Sequence, residues 1–199
     1  DITEGMEDAK YVHWGGLQTR DAYDAGPGVG DAAELIYEAT DTGIQSSNVA
    51  FTNVVYGSHR VRYALYCHGS HDLFGCIGLR SKSCCILNKQ YTPEEYEALI
   101  PRIIAHMHGQ PYIDGKGQVY RYGEFFPPEI SPMAYNESIA QDYHPLNRAE
   151  ALARGFPWRD PAERAYAPTV KGEQLADRIG EVGEGITNEV IECMHQGKC

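Results

Sequence analysis

Between residues 11 and 85 an aromatic, and at the end a cysteine, returns in short apolar surroundings at near-constant intervals. The positions are Tyr11, Tyr23, Tyr37, Phe51, Tyr63, Phe74 and Cys85, and the intervals are 12, 14, 14, 12, 11 and 11 residues. Two intervals together make 22–26 residues, inside the range of roughly 20–50 that marks repeat architectures. A strand-turn-strand unit of that length cannot bury its apolar face alone. Stacking such units buries a continuous interior strip. Residues 9–91 are also rich in Tyr, Val, Ile, Cys, Ser, Asn and Gly and lack a sustained 3.6-residue period, so they read as short strands joined by polar turns. This predicts a mainly β fold built on a β-solenoid-like repeat domain. The alternative is an irregular β-sandwich with coincidental spacing. The chain has 14 Tyr; the expected placement for them is a ladder inside the solenoid, against exposure on its faces, where they would stack on sugars or peptides.

The pattern changes at Thr92-Pro93-Glu94-Glu95. A Thr hydroxyl facing the amide three residues on, with a Glu there reaching back, is a capping box with Pro at the first helical position. Tyr96, Leu99, Ile100, Ile103 and Met107 follow at helical spacing. Pro101 interrupts the hydrogen-bond ladder and predicts a kink, and Gly109 predicts the end. Such a helix is suited to cap the solenoid. An irregular α-containing segment follows. The expected organisation is a solenoid with capping helix over 9–109, a wrapping segment with short helices over 110–160, a linker over 161–186, and the start of a metal module over 187–199. Within the wrapping segment, Asn147 to Arg154 reads as a helix closed by Gly155. A chain that opens on Asp1 and stops on Cys199 reads as a fragment.

Three stretches together resemble a family of uncharacterised bacterial proteins familiar from metagenomic sequences. They are Leu73-Phe-Gly-Cys-Ile-Gly-Leu-Arg-Ser-Lys-Ser-Cys-Cys-Ile-Leu-Asn-Lys-Gln-Tyr91 with Thr92-Pro-Glu-Glu-Tyr96, Gly123-Glu-Phe-Phe-Pro-Pro-Glu-Ile-Ser-Pro132 with Tyr135-Asn-Glu137, and Ile186-Thr-Asn-Glu-Val-Ile-Glu-Cys193 running to Gly197-Lys-Cys199. At Cys84 this chain departs from the tyrosine of that family. The resemblance spans about residues 60–199 and brings no activity with it. It implies a zinc-ribbon region continuing past residue 199.

Cys193, His195 and Cys199 are accordingly the candidate zinc ligands, since thiolate and imidazole suit zinc and a structural site takes four of them; the remainder would lie beyond this chain. A second constellation is His68-Gly-Ser-His71-Asp72, with Cys67 and Cys76 nearby and His59 one short repeat earlier. If stacking brings His59, His68 and His71 together, three imidazoles make a catalytic zinc site with an open position. Against it, the strict six-residue period of zinc-bearing hexapeptide solenoids is absent, and His is an ordinary turn residue. Cys84 and Cys85, adjacent in a strand, point to opposite faces and read as free thiols. Gly26-Pro-Gly28-Val-Gly30 has neither phosphate-loop nor dinucleotide spacing.

The chain carries 17 basic and 28 acidic residues, a net charge of −11. Neither half has the basic excess that phosphate neutralisation needs, which argues against nucleic-acid binding by this segment. No apolar run reaches the ~20 residues of a membrane span, and no secretory leader pattern opens the chain; in a chain read as a fragment these absences say little about location, which is left unknown with a cytoplasmic one slightly favoured. The expected function is a non-catalytic scaffold or interaction protein with a protein partner and an associated structural zinc. The alternatives are a metal-dependent enzyme on a His59/His68/His71 face, and nucleic-acid or protein binding through a cysteine-rich region past residue 199.

Overall fold

The computed structural model describes residues 5–26, 28–160 and 167–192. The chain divides into two compact units, Asp1–Pro132 and Met133–Cys199. Unit one is a β-solenoid. Its strands are β1 (Lys10–Val12), β2 (Arg20–Ala25), β3 (Glu34–Thr42), β4 (Ser47–Tyr56), β5 (His59–His68), β6 (His71–Phe74), β7 (Ser83–Ile86) and β8 (Lys89–Gln90). Each of β1 to β6 pairs in parallel with the next in sequence, and β8 folds back antiparallel on β7. Register sets the coil length. Lys10 faces Tyr23, Tyr23 faces Tyr37 and Tyr37 faces Ala50, while Ala50, Arg62, Phe74 and Ile86 follow at steps of 12. One aromatic interval, not two, therefore makes a complete coil.

The interior follows a period of three. Val49, Thr52, Val55, Ser58, Val61, Ala64, Cys67, Ser70, Leu73 and Cys76 are all buried. The residue two after each inward one has positive φ: Phe51, Val54, Gly57, Arg60, Tyr63, Tyr66, Gly69, Asp72, Gly75 and Gly78. A left-handed corner thus closes every three-residue side, and four sides complete a 12-residue coil. In the earlier coils the inward residues Ala25, Val29 and Ala33, and likewise Thr42 and Ser46, are four apart, which lengthens those coils. Left-handed geometry costs an L-residue about 1–2 kcal/mol; here it is offset by burial and by the inter-coil ladder. The enclosed space is too narrow for large residues. It is filled by Ala, Val, Thr, Ser and Cys, with Ile36 and Leu73 the largest fully buried side chains. The expected interior tyrosine ladder is therefore replaced by small residues, and the aromatics stand outside.

Polar interior atoms are satisfied between coils. The Ser58 amide donates to Ser46 Oγ (3.2 Å), the Ser70 amide to Ser58 Oγ (3.1 Å) and the Lys82 amide to Ser70 Oγ (3.1 Å). Ser58 and Ser70 each donate their hydroxyl to a carbonyl two residues back. Buried serines are tolerable because both functions of the hydroxyl are used.

Helix α1 (Pro93–Gly109) starts at the capping box: the Glu95 amide donates to Thr92 Oγ1 (3.2 Å) and the Thr92 amide to Glu95 Oε2 (3.0 Å). It runs on through Pro101. Its apolar side, including Tyr96, Leu99, Ile103 and Met107, packs with the outward-facing Phe51, Tyr63, Phe74, Cys84 and Ile86, so it caps the last coils from the side. Thr92→Ala is expected to cost about 1 kcal/mol, the usual loss for an N-cap, read as a lower midpoint in denaturant melts. A short antiparallel pair, β9 (Tyr112–Ile113) and β10 (Val119–Tyr120), follows.

Unit two contains α2 (Ala140–Tyr143), α3 (Arg148–Arg154) and several 3-10 turns. Asn147 caps α3 through the Glu150 amide, and Gly155 ends it with φ 89°. The rings of Tyr135 and Phe156 lie 4.9 Å apart, and Arg159 bonds Glu137 at 2.8 Å. Among the described residues no helix is long and apolar enough to cross a membrane.

Candidate functional site

Because coils stack in register at about 4.8 Å, a residue type repeated once per coil becomes a continuous column on the wall. The aromatic column is the most extended of these. Ring centroids are separated by 5.4 Å for Tyr11–Tyr23, 6.1 Å for Tyr23–Tyr37, 5.6 Å for Tyr37–Phe51, 4.7 Å for Phe51–Tyr63 and 5.6 Å for Tyr63–Phe74. All six aromatics of the sequence repeat are in it, in order. Its seventh member differs: Cys85 turns inward below Leu73, and Cys84 and Ile86 continue the outer face.

The two halves of the column have different surroundings. Phe51, Tyr63 and Phe74 are under 10% exposed, whereas Tyr11, Tyr23 and Tyr37 are 74%, 42% and 37% exposed. The buried half is covered by α1 and by the segment around 120–126. Tyr122 lies 6.0 Å from Phe51 and 6.1 Å from Tyr63, and Phe126 lies 5.6 Å from Tyr63. Tyr63 Oη ties the segment down by accepting from the Gly123 amide (3.0 Å) and donating to the Glu124 carbonyl (3.1 Å). Burial pushes the Tyr63 phenol up to about 12.

Along the open half runs a groove of about 340 Å³, bordered by Tyr23, Tyr37, Phe51, Asp21, Asn48 and Arg62. Arg62 is fixed across two coils: Nη1 donates to the carbonyls of Asn48 (2.6 Å) and Val61 (2.9 Å), and Nη2 to Asn48 Oδ1. Tyr37 Oη donates to Glu38 Oε1 at 3.0 Å. Glu38 Oε2 is buried, and the Phe125 backbone hydrogen-bonds to the same carboxylate. Burial is the main reason the Glu38 carboxyl lies above its ordinary range, with the nearby negative charges of Asp24 and Glu124 adding to it.

The histidines behave as the coil length dictates. His59 and His71 are 12 residues apart and stack at 4.9 Å with their planes 11° apart. His68 falls on another side of the coil and stacks on Tyr56 at 5.2 Å. His71 Nδ1 meets Asp72 Oδ2 at 2.7 Å, while Arg60 grips both oxygens of Asp72 at 2.5 and 2.6 Å. Arg60 holds the Asp72 carboxyl below its usual range, and burial, then the charges of Arg60 and His71, hold the His59 imidazole below its own. The three imidazoles thus do not converge, and the proposed His59/His68/His71 zinc face is not formed. Cys67, Cys76, Cys84 and Cys85 are free and buried. The first two are interior residues pointing away from the histidines.

The zinc expectation is corrected more generally. Among the described residues no group of three or more His, Cys, Asp or Glu is arranged to hold a metal ion. The terminal ligand set Cys193, His195 and Cys199 lies outside the described residues. The described residues therefore hold no zinc module on which a role for the protein could be built.

No family model, curated protein or solved structure matches the chain.

Proposed function

We propose that the protein is a non-catalytic interaction scaffold whose solenoid receives a partner on the open half of its aromatic column. The observation that carries this is the contrast along one column: the chain buries Phe51, Tyr63 and Phe74 under its own helix and aromatic segment, whereas Tyr11, Tyr23 and Tyr37 stay exposed among the described residues. Contiguous exposed aromatics on a rigid wall are costly to leave in water and mark interaction surfaces. The coils are pre-organised by parallel pairing, so a partner orders little on binding. The best-placed polar groups elsewhere are engaged with each other, as in the Arg60–Asp72–His71 set. Kinship with the bacterial family that the Leu73–Tyr91 and Gly123–Pro132 motifs resemble fits this reading and adds no activity to it.

The test is a selection of peptide binders from a displayed random library on the immobilised protein, followed by mapping. Binders are expected to lose affinity for Tyr23→Ser/Tyr37→Ser by about tenfold or more, as aromatic hot spots do. They should keep it for Tyr66→Ser, a still more exposed tyrosine off the column. Both variants should retain the wild-type far-ultraviolet spectrum and melting temperature. Binders that ignore Tyr23 and Tyr37 would overturn the proposal.

A further inference from the structure

The solenoid is electrically polar along its axis. Residues 5–46, the early coils, carry eight acidic and two basic side chains; residues 47–91, the later coils, carry one acidic and five basic. The chain already answers this polarity at one end. The helix that covers the later, basic coils, Pro93–Gly109, brings Glu94, Glu95 and Glu97 against a single Arg102. An acidic amphipathic helix covers the basic half of the column. The acidic half has no counterpart among the described residues of this unit. Asp21 borders the open groove, where the one cation among the described residues lining it, Arg62, is already held by Asn48 and the Val61 carbonyl, and Asp24 and Glu38 flank Tyr23 and Tyr37 in sequence.

Resting on the interaction reading above, we infer that the occupant of the open half is a basic, amphipathic segment of a partner protein, with Lys or Arg side chains over Tyr23 and Tyr37 and paired with Asp21, Asp24 and Glu38. Aromatic faces bordered by carboxylates suit cations twice over, through the ring quadrupole and through ion pairing. The chain uses the first of these itself where Lys89 Nζ sits 5.0 Å from the Tyr91 ring centroid. Apolar residues on the other side of the segment would pack in the groove against Phe51.

The experiment is calorimetric titration of the whole chain with two synthetic helical peptides, one bearing Lys and Leu faces, the other identical with Glu for Lys. The lysine peptide should bind and the glutamate peptide should not. Affinity should fall about tenfold in Asp21→Asn/Asp24→Asn/Glu38→Gln and should weaken with added salt, since Asp21 and Asp24 are exposed. Tyr23→Ser/Tyr37→Ser should weaken it as well. Equal, tyrosine-dependent binding of both peptides would overturn the basic occupant and leave the interaction reading standing. Lysine-peptide binding that ignores Tyr23 and Tyr37 would overturn both. Binding of neither would overturn the basic occupant, the library selection deciding the interaction reading by itself. Concentration-dependent self-association abolished by Asp21→Asn/Asp24→Asn/Glu38→Gln would replace the partner segment with a second copy's basic coils.

Discussion

Leu73→Ala is expected to lower the unfolding free energy by about 3–5 kcal/mol, the upper part of the range for buried leucines. Leu73 is fully buried in an interior column that includes Val49 and Val61 before it and Cys85 after it, each in register with the next. Truncation removes the transfer energy of the lost carbons and leaves a cavity. The size of the cavity term depends on how far the walls can move. Here the walls are coils held by parallel hydrogen bonds to both neighbours, so they cannot close in without breaking the ladder. Urea melts followed by circular dichroism should show a lower midpoint with an unchanged slope. A loss below about 1 kcal/mol would mean that the interior is not close-packed at this coil.

The recurrence of the aromatics is legible in the sequence, but the coil length is not. Two intervals per coil would set alternate aromatics over one another, whereas Tyr11 through Phe74 stack consecutively, one per coil. Which way the rings point was not readable. An ordinary strand has a side-chain period of two. This wall has a period of three, inward at Val49, Thr52, Val55 and Ser58, with corners at residues such as Val54 and Tyr66 that ordinarily avoid left-handed backbone. A β-branched corner gives no turn signal of the kind glycine or asparagine gives. The helix start was legible because a capping box is entirely local, and Thr92 and Glu95 need nothing from the rest of the fold.

The histidines show the same division. Knowing that a coil is 12 residues assigns His59 and His71 to one column and His68 to another. A coil taken as two intervals hides that arithmetic. The charge polarity was hidden for a different reason. A count over residues 1–100 adds the acidic early coils to the basic later ones and returns a moderate negative sum. Only the coil boundaries show where the sign changes, and with it which half of the aromatic column lacks a complement.

Gly30→Ala should be comparably damaging, at about 3 kcal/mol or more, the severe end of overpacking. The reason is approach, not backbone conformation. A Cβ at Gly30 would lie 2.8 Å from Cα of Ile44 in the next coil and closer still to its amide nitrogen. Those are backbone atoms, so no rotamer change relieves the contact. The coils would have to part locally, stretching the bonds from the Gly30 amide to the Thr42 carbonyl (3.1 Å) and from the Gln45 amide to the Asp31 carbonyl (2.8 Å). Gly16 stands in the same relation to the coil of Gly30, its Cβ meeting the Asp31 amide nitrogen at 2.6 Å, so the glycines let these longer early coils keep the common spacing. Gly78→Ala is the control. Nothing lies within 4 Å of its Cβ, but its φ is +72°, so its cost should be conformational alone, about 1–2 kcal/mol. Denaturant melts of the two variants side by side separate the causes. Equal losses would show that the early coils have room at Gly30 and that their close stacking is not what requires a glycine there.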